Sequence, residues 1–222
     1  MNFSLEISPK TDLETLPSLK DVYITMLPGG DYKDTAKQAV NLVKSGYNPI
    51  PHFPARSIET ETQLKDYISI CKDGGVKQAL IIGGSREPIG KFDSSIQLLE
   101  TGYFEKMKIG IAGHPEGSPD ISDSKLEKAM EDKKPYADYI VTQWLMDPQL
   151  IIDFISKQSA VVSSGCFSKV AGNTHHPSPK PVIGALIAFK AIFISSTQLI
   201  VSATIKSTPA SLAHFTCSSY IF

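Results

Sequence analysis

Apolar and polar positions follow one repeating plan along the first two-thirds of the chain: a short apolar run, a polar or glycine-containing segment, and in most repeats a stretch with helical spacing. The runs are residues 3–8, 22–27, 48–53, 78–83, 108–113 and 138–143, and the last four begin about thirty residues apart. Runs this short, bounded by turn residues, predict buried strands. Between them, residues 31–45 carry Ala36, Ala39, Val40 and Val43 in helical spacing with Gly46 as the stop. Residues 60–73 repeat the design with Leu64, Tyr67, Ile68 and Cys71 ahead of Gly74 and Gly75. Further helices are expected at 94–100, at 122–133, and from Pro148 behind Asp147 as cap. Such alternation predicts an α/β fold with a parallel sheet. A doubly wound open sheet would more often show a Gly-x-Gly-x-x-Gly turn after its first strand, which is absent. The expected class is therefore a TIM-type (β/α)8 barrel, with its chemistry at the carboxyl ends of the strands.

The plan stops after the sixth run. All 23 Asp and Glu lie before residue 159, whereas residues 159–222 hold four lysines and no acid. That is a poor match for outer helices, which need a solvated face. An incomplete barrel is expected, with residues 1–158 as the barrel portion carrying the site and 159–222 as an atypical tail. The apolar stretch 181–201 is long enough to suggest a membrane span, but Lys190 in its middle and Gln198 near its end speak against one. Buried strands or a poorly ordered segment are the expectation there.

Composition narrows the function. The net charge of −1 provides no basic field for nucleic acid and fits a small-molecule enzyme better. Cys71, Cys166 and Cys217 are widely separated, and the first residues lack the basic start and apolar run of a signal peptide. A reduced, cytoplasmic protein is expected.

Several residues could carry chemistry. Glu6 lies inside an apolar strand, where burial would raise its pKa and make it a proton donor, unless strand alternation turns it toward a lysine. His52 is held among Pro49, Pro51 and Pro54, a stiff backbone suited to a ligand-contacting group, although prolines also simply end strands. Gly83-Gly84-Ser85 and the segment from Gly110 to Gly117 end consecutive strands, and glycines there let a backbone approach a planar or phosphorylated ligand. Gln143 can donate to and accept from a heterocycle, and Trp144 and Met146 follow it as packing residues. His175 and His176 are adjacent, a poor geometry for one tetrahedral ion, so no metal is assigned.

Taken in order, these segments resemble the methylenetetrahydrofolate reductase family over residues 3–158. Phe3-Ser4-Leu5-Glu6-Ile7-Ser8-Pro9 is similar to that family's opening strand, whose glutamate is the general acid. Thr25 falls at a flavin contact on the second strand, and His52, ending Asn-Pro-Ile-Pro-His, matches a flavin-contacting histidine. Ala112 and His114 fall on the family's Ala-x-Tyr-Pro-Glu-x-His-Pro pattern, with His114 replacing the common tyrosine and Ser118 the histidine. Ser85 stands where an aspartate is usual, and Lys128 corresponds to a flavin-phosphate lysine. Thr142-Gln143 matches a Thr-Gln pair whose glutamine binds folate and nicotinamide in turn. The resemblance implies FAD as cofactor, NADH or NADPH as reductant, a folate substrate bound by Glu6 and Gln143, and catalysis by Glu6. A folate-dependent methyl-transferring or demethylating relative is one alternative. A non-catalytic fragment, its tail produced by a frameshift, is another; its open sheet edges would drive self-association.

Overall fold

The six apolar runs form six parallel strands. They are β1 (Leu5–Ile7), β2 (Asp21–Ile24), β3 (Asn48–Pro54), β4 (Gln78–Ile82), β5 (Lys108–Gly113) and β6 (Tyr139–Thr142), paired in sequence order. This is a computed structural model and describes residues 4–143, 147–164, 186–189 and 204–206. The helices between the strands are α1 (Tyr32–Lys44), α2 (Glu61–Asp73), α3 (Ser95–Glu100) and α4 (Asp123–Lys133), and α5 (Pro148–Ser164) follows β6. The sheet is a curled half-barrel, compatible with an incomplete β/α barrel.

Two short strands extend this sheet. β7 (Leu186–Phe189) pairs parallel with β6, and β8 (Thr204–Lys206) pairs antiparallel with β7. An antiparallel strand breaks the plan of a β/α repeat. Strands β1 and β8 lie at opposite ends of the order, with no pairing between them among the described residues. The expected boundary after residue 158 falls inside α5, which continues to Ser164. Trp144, Met146, His175, His176 and most of the stretch 181–201 lie outside the described residues. No described helix is long and apolar enough to cross a membrane.

Local chemistry accounts for the helix ends. Asp31 caps α1 by accepting from the Lys33 N–H at 2.9 Å, and Thr60 caps α2 by accepting from the Gln63 N–H at 3.1 Å. Both helices stop at glycines with left-handed φ, +83° at Gly46 and +85° at Gly75. The next amide then bonds back into the helix, Tyr47 to the Leu42 carbonyl and Val76 to that of Cys71. α2 buries Leu64, Tyr67, Ile68 and Cys71, as its spacing predicts.

Strand alternation divides the core in two. Leu5, Ile7, Val22, Ile24, Phe53 and Ile81 pack outward against α1 and α2. Tyr23, Ile50, Leu80, Tyr139 and Val141 form a smaller cluster on the concave side. The prolines of β3 shape the sheet between them. Asn48 donates to the Lys20 carbonyl on one side, but pairing with β4 begins only at His52 opposite Leu80, past Pro49 and Pro51. Neither proline has an N–H to offer a ladder.

Candidate functional site

The carboxyl ends of β2 to β6, the loops after them, α4 and the first turns of α5 line an open cavity of about 1290 Å³. Pockets for a single drug-sized ligand run to about 300–1,000 Å³, so this space is large for one such ligand. Thr25, His52, Ser85, Ala112, His114 and Gln143 all line it. One sheet thus brings together residues spread over more than a hundred positions of sequence.

His52 is the most constrained of them. It is 1 % exposed, and burial pushes its pKa down to about 4, so the imidazole is neutral at physiological pH. Its Nε2 is buried without a protein partner among the described residues. The Tyr23 ring meets it edge-on, with centroids 6.1 Å apart. The backbone is held from behind, where the buried Tyr67 hydroxyl of α2 donates to the His52 carbonyl at 3.0 Å and the Tyr67 ring stacks on Phe53 at 4.0 Å. A helix residue thereby sets the position of a strand residue in the cavity wall.

Small residues make the adjoining surfaces. Gly84, at φ +92°, turns the chain after β4, and a Cβ there would press on Pro54 at 3.3 Å. On β5, a Cβ at Gly110 would lie 2.6 Å from the Tyr139 ring. Gly110 is what admits that ring to the concave side. Burial raises the Tyr23 and Tyr139 phenols well above their ordinary pKa. The Tyr139 hydroxyl interacts with Tyr23 but finds no partner at full hydrogen-bond geometry.

Of the cations that line the cavity, Arg56, Lys133 and Lys157, the buried one is Lys133, at the end of α4. It is 8 % exposed, donates to the Ala112 carbonyl at 3.3 Å and has no carboxylate partner among the described residues. Burial lowers its pKa, while burial and the nearby Lys133 charge lower that of His114. Lys128 points elsewhere. It is exposed, pairs with Asp132 one helical turn away at 3.1 Å, and lies outside the cavity lining. Sequence reasoning missed Lys133 because a lysine closing a helix reads as a partner for the helix dipole.

Glu6 is 7 % exposed and sits on the concave side in the row Glu6–Tyr23–Ile50. It lies outside the cavity lining, although Thr25 on the next strand, whose N–H donates to the Ile7 carbonyl at 3.0 Å, is part of it. Thr142 is 1 % exposed, while Gln143 beyond it reaches the open part of the cavity. Fold and site together define an α/β protein with a large open cavity at the carboxyl ends of its parallel strands. No family model matches the chain.

Proposed function

We propose that the chain is a methylenetetrahydrofolate reductase built on an incomplete TIM-type (β/α)8 barrel, using FAD and NADH or NADPH to reduce 5,10-methylenetetrahydrofolate to 5-methyltetrahydrofolate. The observation that carries this reading is the shared cavity. Six positions of the resemblance, from five consecutive strand ends, line one open space of about 1290 Å³.

The residues present fit such a cofactor. His52 offers a neutral ring whose Nε2 has no protein partner among the described residues, Gly83 and Gly84 present no side chain to the cavity, and Lys133, unlike Lys128, is among the lining cations available to phosphate oxygens. FAD, when bound, supplies the hydride transfer. The chain's own residues supply orientation and the proton. Gln143, with an amide that both donates and accepts, suits the pterin and the nicotinamide carboxamide alike. Glu6, held on the concave side, would deliver its proton to the bridging nitrogen as the five-membered ring opens. Ser85 adds no negative charge where an aspartate is usual, so the flavin and pterin rings would lack that electrostatic influence.

The test is spectroscopic. Purified protein incubated with FAD and freed of excess cofactor should keep a flavin absorption band that NADH or NADPH bleaches. Glu6→Gln should lose folate reduction yet still bleach; full folate-reducing activity in that variant would remove Glu6 from the role. A second reading, a non-catalytic open barrel, is favoured by one observation, the antiparallel β8 at the end of a strand order in which β1 and β8 do not pair among the described residues. It predicts no flavin band.

A further inference from the structure

Two buried tyrosines share the concave face with the cavity without lining it. Tyr23 lies two residues before Thr25 and Tyr139 two before Val141, so each pair points to one side of the sheet; Thr25 and Val141 line the cavity, and neither tyrosine does. Three strands separate β2 from β6 in the sheet order. The curl of the sheet is therefore what brings the Tyr23 and Tyr139 hydroxyls together.

Each ring has a fixed seat. Tyr23 is 2 % exposed, with Glu6 beside it on β1 and Ile50 on β3. Tyr139 stands opposite Gly110 in the β5–β6 ladder, and its ring occupies the space that a Cβ on Gly110 would need. The Lys108 ammonium rests 5.3 Å from the centre of that ring. A close-packed interior passes displacement on rather than absorbing it.

At the other end of the pair, the Tyr23 ring meets His52 edge-on at 6.1 Å and 65°, and no other aromatic ring touches His52 among the described residues. The bond from Tyr67 reaches only the His52 carbonyl. It holds the backbone and leaves the turn of the imidazole to neighbours inside the barrel.

We infer that Tyr139 and Tyr23 are positioning residues for His52: the seat that Gly110 gives the Tyr139 ring is passed through Tyr23 to the imidazole on the opposite wall, and so to the ligand the cavity holds. The inference rests on the flavin reading only for the identity of that ligand, and the linkage itself is measured without one. A rival route exists along the ladder, where Leu80 lies between His52 and Gly110.

Spectra of the full chain carrying nitrogen-15 histidine read the linkage, with the His52 signals assigned from their loss in His52→Asn. Tyr139→Leu and Gly110→Ala should each shift those signals, and Tyr139→Phe, which keeps the ring, should shift them less. In a Tyr23→Leu background the Tyr139→Leu shift should disappear, because the route then lacks its middle member. Leu42→Ala opens the outer core on α1 instead, and should lower stability while leaving His52 where it was. If the wild-type chain retains FAD, Tyr139→Leu should weaken that retention several-fold; no retention would remove the flavin reading and leave the spectra to decide the linkage. Unmoved His52 signals in Tyr139→Leu and Gly110→Ala, an equal shift in Leu42→Ala, or a Tyr139→Leu shift that persists without the Tyr23 ring would overturn it.

Discussion

The two walls of the cavity are built on opposite principles. The β3–β4 wall is stiff and crowded, with prolines in the strand, a buried neutral His52 tied to α2 by Tyr67, and an arginine braced by the loop after β4. The β5–β6 wall is spacious, with Gly110 and Gly113 admitting large rings from Tyr139 and Phe154, and a lysine whose burial loosens its hold on its proton. One wall holds functional groups by restricting the backbone; the other does so by removing side chains. Damage to the first should show as misplacement of a group, and damage to the second as overpacking.

The largest effect is expected on the spacious wall. Gly110→Ala puts a methyl 2.6 Å from a buried tyrosine ring and should cost about 1–3 kcal/mol in urea unfolding. Pairing it with Tyr139→Leu should recover part of that loss, and strict additivity of the two would mean that the ring is not what Gly110 accommodates. On the stiff wall, His52 makes stability depend on pH. Its folded pKa of about 4 lies below the unfolded value near 6.5, so the unfolded chain binds more protons between the two. The His52 contribution is present above about pH 6.5 and is lost as pH falls toward 4, on the order of 2 kcal/mol between pH 7 and pH 5. His52→Asn should flatten the urea midpoint over that window; an unchanged slope would place the titration elsewhere. The smallest effect is Tyr67→Phe, which keeps the stack on Phe53 but removes the bond to the His52 carbonyl, for about 1 kcal/mol. A shifted His52 ring resonance in that variant would show that α2 positions the wall as well as stabilising it.

Much of the architecture was legible beforehand because it rests on local rules. The apolar runs became β1 to β6, the segments 31–45 and 60–73 became α1 and α2, and Gly46 and Gly75 stopped those helices where positive φ is needed. The strand-end residues were legible too, since a parallel sheet carries every strand's carboxyl end to one face. What escaped was contact between distant segments. Lys133 looked like a helix-end cation until α4 packed against β5. Lys128, one helical turn and a half away, had the same chemistry and a solvated fate. Arg56 ended a proline-rich segment with nothing in it to announce a brace from Gly83, Ile89 and Asp93.

The apolar periodicity and the capping residues determined, on their own, that strands and helices alternate and in what order, because hydrogen bonds and side-chain facing along a few residues obey fixed periods. Which polar groups meet inside the cavity was decided only by the curl of the sheet. Burial, and with it the neutrality of His52 and the weakened charge of Lys133, belongs to the neighbours that a fold supplies rather than to the residue.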